Sequence, residues 1–311
     1  VTASATGIGV DIGGSHIVCA GVDLQSGRLI EGTRFAAKLD RKAAREELLE
    51  AWTAPIRRVS RALNGRHPVG VGFAMPGAFD YREGVALFSG NDKYENLYRA
   101  DVRSALAERL GREPHQLRFI NDATAFGIGT ARLRDADRPE RLIAVTLGTG
   151  FGSTFNEGGL PVIERADVPP HGSLWHQSFR DGIADDYFST RWFRTTYRER
   201  TGREEPGVRE IAARAGADTI ARELFTEAGG NMAEFLAPWI GRFAADRLVV
   251  GGNIARAWSL MEAGFRSALG GEFPDLTIAA TTETEDAAIV GGALLLKDTF
   301  WQRIKDDLPR K

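Results

Sequence analysis

The chain says nearly the same thing twice. Gly9-Val10-Asp11-Ile12-Gly13-Gly14 stands near its start, and Ala144-Val145-Thr146-Leu147-Gly148-Thr149 repeats the pattern near its middle. Each is an apolar strand, a polar residue, an apolar residue and a glycine-bearing turn, followed by a second apolar strand at 17–22 or 151–155. A chain that restarts one hairpin halfway along is expected to build two related lobes facing each other across a cleft.

Around the hairpins, strands alternate with helices, which predicts an α/β fold. The apolar spacing predicts a helix over 41–63, interrupted at Pro55, and a buried strand over 69–74 that ends at Met75-Pro76-Gly77. It also predicts a helix over 101–110, with Asp101 as its N-cap and Gly111 as its stop. A strand over 117–120 runs into Asn121-Asp122 and a small-residue helix over 123–133. In the second half, helices are expected over 185–200, 208–215 and 219–243, the last kinked or broken at Pro238. A strand over 247–250 should end at Gly251-Gly252-Asn253. A further strand over 276–280 precedes an Ala/Leu/Gly-rich helix over 286–297.

Composition narrows the function classes. The 311 residues are 43% hydrophobic and 26% charged, the balance of a soluble globular chain. Forty basic against 42 acidic side chains give a net charge of -2, so no field of one sign favours nucleic acid or an anionic membrane as partner. The single cysteine, Cys19, excludes an internal disulfide and a cysteine-rich zinc site, and it sits in an apolar run that reads as core. Residues 1–7 carry no secretory pattern, and the longest apolar run, 287–296, is too short to span a bilayer. A cytoplasmic location is expected.

Four short segments can carry chemistry. Asp11-Ile12-Gly13-Gly14-Ser15 is either a plain hairpin or a turn whose backbone N–H groups receive phosphate oxygens while Asp11 holds Mg²⁺ through water. Gly148-Thr149-Gly150-Phe151-Gly152 offers the same choice, with a threonine hydroxyl added. Gly251-Gly252-Asn253 is either a helix-initiating turn or a flat surface for a ribose or ring. Asp122 is either a helix cap or a base that takes a proton from an attacking hydroxyl, with Asn121 orienting the substrate. The sequence has no G-x-x-x-x-G-K-[S/T], which disfavours the P-loop class.

Taken in order, these segments resemble the ROK family (repressors, open reading frames and sugar kinases) of the hexokinase, actin and Hsp70 superfamily. Asp11-Ile12-Gly13-Gly14-Ser15 looks like the family's first phosphate motif. Gly72-Phe73-Ala74-Met75-Pro76-Gly77 looks like its sugar loop, Asn121-Asp122-Ala123 its catalytic segment, and Leu147 to Gly152 its second phosphate motif. Gly251-Gly252-Asn253 looks like its adenosine motif. Two departures stand out. Ile120 replaces the Glu of E-N-D-A, and the family's zinc-binding cysteines are absent after Gly172-Ser173-Leu174-Trp175-His176.

The resemblance implies two ribonuclease-H-like lobes with an interlobe cleft, at 1–122 and 123–297, with a last helix at about 298–311 packing back on the first. It implies an ATP- and Mg²⁺-dependent sugar kinase with Asp122 as general base. ATP would lie on Asp11, Gly13, Gly14, Ser15, Thr149, Gly150, Gly252 and Asn253. Sugar would lie on Gly77, Asn91, Asn121, Asp122 and His176, with no zinc. A homodimer is implied as well. The alternative is a sugar sensor that keeps the cleft without turnover. The family's repressors carry a helix-turn-helix ahead of the first strand; the seven residues before Ile8 leave no room for one, so that branch is disfavoured.

Overall fold

The structure is a computed structural model, and it describes residues 5–90, 93–132 and 140–309. By its internal contacts the chain divides into two compact units. One comprises Val1–Asp137, Gly159–Pro161 and Glu285–Lys311, the other Arg138–Gly158 and Val162–Thr284.

The first unit is built on β1 (Thr6–Ile12), which turns back into β2 (His16–Asp23) in a hairpin registered from Thr6 opposite Asp23 to Ile12 opposite Ile17. The short strands β3 (Arg28–Leu29) and β4 (Phe35–Lys38) pair with the far side of β2. On the other side of β1 lie β5 (Val71–Met75) and then β8 (Leu117–Asn121), both parallel to it. Between them in sequence comes a small hairpin of β6 (Phe79–Asp80) and β7 (Val85–Ala86). The sheet order is β3-β2-β1-β5-β8. Every residue of β5 is buried, as expected of a strand covered on both faces.

Helices α1 (Arg45–Ala62) and α2 (Val102–Leu110) lie in the connections between these strands, and α3 (Asp122–Arg132) follows β8. The expected break in α1 does not occur: Pro55 is buried inside a continuous helix. Burial of Leu48, Leu49, Trp52, Ile56 and Val59 along one face outweighs the roughly 3 kcal/mol that an interior proline costs. In α2, Asp101 accepts a hydrogen bond from Ser104 N at 2.9 Å, and Gly111 ends the helix in the left-handed region. Asp101→Ala is expected to cost about 1 kcal/mol in urea unfolding by loss of that cap. An unchanged midpoint would show that the cap contributes nothing.

The second unit repeats the plan. β9 (Arg141–Leu147) and β10 (Phe151–Glu157) form its hairpin, and β14 (Arg247–Gly251) then β15 (Thr277–Ala280) continue the sheet in parallel from β9. The short strand β11 (Leu160–Pro161) falls in the first unit, and β12 (Ser178–Phe179) pairs with β13 (Gly182–Ile183). The helices are α4 (Ala184–Tyr187), α5 (Thr190–Thr201), α6 (Val208–Arg214), α7 (Thr219–Phe243) and α8 (Trp258–Leu269). The helix expected over 185–200 is thus two, because Phe188 and Ser189 leave the helical region between α4 and α5. Pro238 lies within an unbroken α7, whose buried face packs into a core that includes Phe225, Phe235 and Phe243.

The sequence placed the boundaries at 122 and 297, whereas the contacts assign α3 and, from Glu285 onward, α9 (Thr284–Leu294) to the first unit; α10 (Asp298–Ile304) falls in the first unit as expected. The cause is close packing. A Cβ on Gly9 would lie 2.0 Å from the Ile289 carbonyl oxygen, and one on Gly72 would lie 1.9 Å from that of Gly292. Bare backbone on β1 and β5 lets α9 lie directly on the sheet.

Candidate active site

Parallel strands that end at one edge of a sheet bring their C-terminal loops together, and ligands of open α/β sheets bind there. In the first unit, the register sets Asp11 beside Ala74 and Met75 beside Asn121. Asp11, the Met75-Pro76-Gly77 loop and Asn121-Asp122 therefore share an edge.

The helix-cap role considered for Asp122 belongs largely to Asn121. Its Oδ1 accepts from Ala123 N at 3.0 Å and from Thr124 N at 3.2 Å. Asn121 Nδ2 donates to Asp122 Oδ1 at 3.0 Å and to the Tyr81 hydroxyl at 3.3 Å. Asp122 Oδ1 also accepts from Ala123 N at 2.8 Å. The Asp122 side chain is thus held in one pose while its residue stays only half-buried. Burial pushes its carboxyl above the ordinary carboxylate range, against the pull of the Ala123 N–H, the Lys93 charge and the Asn121 amide. A fixed, accessible carboxylate with raised basicity is what proton abstraction from a hydroxyl needs.

Asp11 is pushed up further, by burial first and then by the charges of Asp122 and Glu285, with Arg34 opposing. An oxygen donor whose charge is opposed by burial and by neighbouring acids fits a hydrated divalent cation, which would relieve both. Among the described residues no group of three or more His, Cys, Asp or Glu side chains forms a metal cluster. Among the described residues nothing demands glycine at Gly14: the nearest atom to an added Cβ would be Lys93 Cε, at 3.9 Å. The bare turn is held by Tyr94, fully buried, whose hydroxyl donates to the Gly13 carbonyl and whose ring meets Trp52 edge-on at 5.2 Å. Ser15 is exposed, with Oγ 3.4 Å from His16 Nδ1. His16 Nε2 in turn lies 3.0 Å from Glu285, which Arg34 also holds at 2.7 Å.

In the second unit, the hairpin turn and the adenosine-like segment meet. A Cβ on Gly252, at φ +88°, would lie 2.3 Å from the Leu147 carbonyl oxygen, next to Gly148-Thr149-Gly150. Gly252 N donates to Thr284 Oγ1 at 2.7 Å, and Asn253 leads into a 3-10 turn over Ile254–Ala257. Thr190 fastens the other side of the turn, its N and Oγ1 both donating to the Gly148 carbonyl at 2.8 Å. Asp185 Oδ1 accepts from Phe151 N at 2.7 Å. Among the described residues an added Cβ at Gly148 meets no atom within 4 Å, so the turn is uncrowded there, while the Gly148 N–H donates to the Gly150 carbonyl at 3.0 Å. Thr149 lines a pocket of about 350 Å³ with Thr190, Arg191, Arg194, Thr195 and Arg198 among its walls. His176 also lies in this unit, its ring edge-on to the half-exposed Trp175, with its Nε2 at 2.9 Å from Gln177 Nε2. Burial, then the charge of His171, lowers its pKa.

The expected residues therefore gather in two groups. Asp11, Gly13, Gly14, Gly77, Asn121 and Asp122 belong to the first, and Thr149, Gly150, Gly252 and Asn253 to the second. Asn91 lies outside the described residues. Tyr81, Tyr94 and Asp185 carry no sequence signal, because each acts through a partner distant in sequence or through a turn shaped by the fold.

The ROK family model matches residues 7–171. The glucokinase of Thermotoga maritima is 24% identical over 324 residues, covering 94% of this chain and 97% of that protein. A ROK hexokinase from Thermus thermophilus superposes with a TM-score of 0.76 at 22% identity, over 97% of this chain and 99% of that one. A ROK family glucokinase from Streptomyces griseus, solved in complex with glucose and AMPPNP, superposes at 0.73 and 23% identity, over 94% and 99%. The mixed α/β architecture is that of the ROK hexokinases. With its two repeated hairpins, its Asn121-Asp122 segment and more than half its length matched, the chain belongs to the ROK family.

Proposed function

We propose that the protein transfers the γ-phosphoryl group of ATP to a hydroxyl of a sugar of the hexose class. Asp122 is the general base: it takes the hydroxyl proton as the sugar oxygen attacks phosphorus and ADP leaves. The observation that carries this reading is the pose of Asp122, a carboxylate raised by burial and held through one oxygen by Asn121 and Ala123. Gly77 positions the sugar beside it, with Asn91 and His176 as further contacts, while Asn121, whose amide makes all its hydrogen bonds within the protein, holds Asp122. Gly13, Gly14, Ser15, Thr149 and Gly150 receive the phosphates, and Gly252 and Asn253 the adenosine. Mg²⁺, held by Asp11 through water, would neutralise phosphate charge. The glucokinase relatives, one solved with glucose and a nucleotide analogue, support the substrate and donor classes. We place the protein in the cytoplasm as a homodimer.

The test is coupled ADP release across a panel of hexoses and hexose derivatives. Sugar-dependent ADP release is expected for at least one. Sugar binding by calorimetry with no ADP release from any would replace the kinase with a sensor.

Gly150→Val addresses the donor side. Its Cβ would come 2.8 Å from Asp185 Oδ1, so the branched side chain must displace the carboxylate that holds Phe151 N. Nucleotide affinity is expected to fall about tenfold or more, while sugar affinity changes less than twofold. Equal weakening of both by calorimetry would remove Gly150 from the donor site.

A further inference from the structure

Tyr81 sits under the sugar loop with 3% of its surface exposed. Its ring lies 5.5 Å from Phe79, which packs on Phe119 at 5.2 Å, and Phe119 stacks on Phe73 at 4.8 Å. This aromatic stack fixes where the hydroxyl points. The hydroxyl donates to the Met75 carbonyl at 3.2 Å and accepts from Asn121 Nδ2 at 3.3 Å. A Cβ on Gly77 would lie 3.6 Å from it, so it also underlies the loop itself.

A primary amide has two N–H donors and one oxygen with two acceptor positions. Asn121 uses all four. Its oxygen takes the two helix N–H groups of Ala123 and Thr124, and its nitrogen serves Tyr81 and Asp122. The reverse amide orientation would set N–H against N–H on the helix side and oxygen against carboxylate on the other. Tyr81 supplies the second acceptor that holds the nitrogen in place. Burial and the charge of Asp122 push the Tyr81 hydroxyl far above its ordinary range, so it stays protonated and takes no part as a base.

We infer that Tyr81 is a positioning residue for the base. By accepting from Asn121 and donating to the Met75 carbonyl, it fixes the Asn121 amide and through it the Asp122 carboxylate. The kinetic part rests on Asp122 acting as the base; the geometric part does not. Hydrogen bonds to a carboxylate favour its ionised form. Loosening the Asn121 amide therefore weakens a bond that stabilises charged Asp122 and moves its titration upward.

The experiment is a double-mutant cycle of Tyr81→Phe and Asn121→Ser. Phenylalanine keeps the ring packing, and serine keeps a helix-capping oxygen while removing the amide. Two quantities are read: kcat with sugar and donor KM, and the pH midpoint of the Asp122 carboxyl by ¹³C NMR, with Asp122→Asn assigning the resonance. Tyr81→Phe is expected to lower kcat about tenfold with both KM values within about twofold. It should raise the Asp122 midpoint by about half a pH unit or more. In the Asn121→Ser background, Tyr81→Phe should change neither quantity further. Additive effects on kcat, or an Asp122 midpoint unmoved by Tyr81→Phe, would overturn the inference. If the wild-type protein phosphorylates no sugar while the midpoint shifts as stated, the kinase reading fails and the positioning role stands.

Discussion

Asp122→Asn is expected to reduce sugar-dependent ADP release by about 10²–10⁴-fold while the folded protein becomes no less stable at neutral pH. Asparagine has nearly the shape of aspartate, and its oxygen can keep both the Ala123 N–H and the Asn121 amide bonds. What it lacks is a site for the hydroxyl proton. The stability half follows from linkage. Burial raises the folded-state pKa of Asp122 above its ordinary 3.8, so the folded state binds the proton more tightly than the unfolded state does. The stabilisation this gives is fully present below about pH 4 and is lost as pH rises through the folded-state value. Above that window the wild-type protein bears the cost of a buried charge that the variant lacks. Thermal melts should show Asp122→Asn equal to or above wild type at pH 7, with its relative advantage shrinking as pH falls toward 4. Near-normal turnover would remove Asp122 as the base. A large drop in Tm at pH 7 would mean that the carboxylate is a structural group.

The base role expected of Asp122 came from the resemblance of Asn121-Asp122-Ala123 to the family's catalytic segment, whereas the elements that hold it were legible because their information is local. A strand, an Asn-Asp pair and a small-residue helix lie within a dozen residues, and the cap at Asp101 with its stop at Gly111 is local in the same way. The repeated hairpin was legible for a related reason. An apolar strand that meets a glycine turn has few alternatives, and both hairpins form with the registers that the pattern requires. The unit boundary was not legible. The 284–294 segment is Ala- and Gly-rich with almost no amphipathic face, so nothing in it says which sheet it covers; the answer lies in Gly9 and Gly72, some 200 residues or more away along the chain. Pro55 misled for the opposite reason, and a break at Pro238 does not occur either, since a local rule was overridden by burial of a whole helix face. At the site, Tyr81 and Tyr94 were invisible because a buried tyrosine in an aromatic core looks like packing until its hydroxyl is seen to end on Asn121 or Gly13.

Gly252→Ala is expected to damage the second unit on two counts, backbone strain and a backbone clash. The residue sits at φ +88°, where an L side chain is strained by about 1–3 kcal/mol. Its Cβ would also lie 2.3 Å from the Leu147 carbonyl oxygen and 2.7 Å from Leu147 N, both backbone atoms of the neighbouring strand end. No rotamer relieves a clash between a Cβ and backbone, so the ends of β9 and β14 must part, at a further cost of about 1–3 kcal/mol. Gly271→Ala separates the two effects: Gly271 has φ +79° with no atom within 4 Å of an added Cβ, so only the strain applies. In urea unfolding, Gly252→Ala should lose clearly more stability than Gly271→Ala; equal losses would show that the strand ends yield without cost. The same displacement reaches Gly148-Thr149-Gly150, which follows Leu147 directly, and it disturbs the bond from Gly252 N to Thr284 Oγ1. Nucleotide affinity of the folded fraction should therefore drop in Gly252→Ala and stay unchanged in Gly271→Ala. Wild-type affinity in both would place the adenosine somewhere other than Gly252-Asn253.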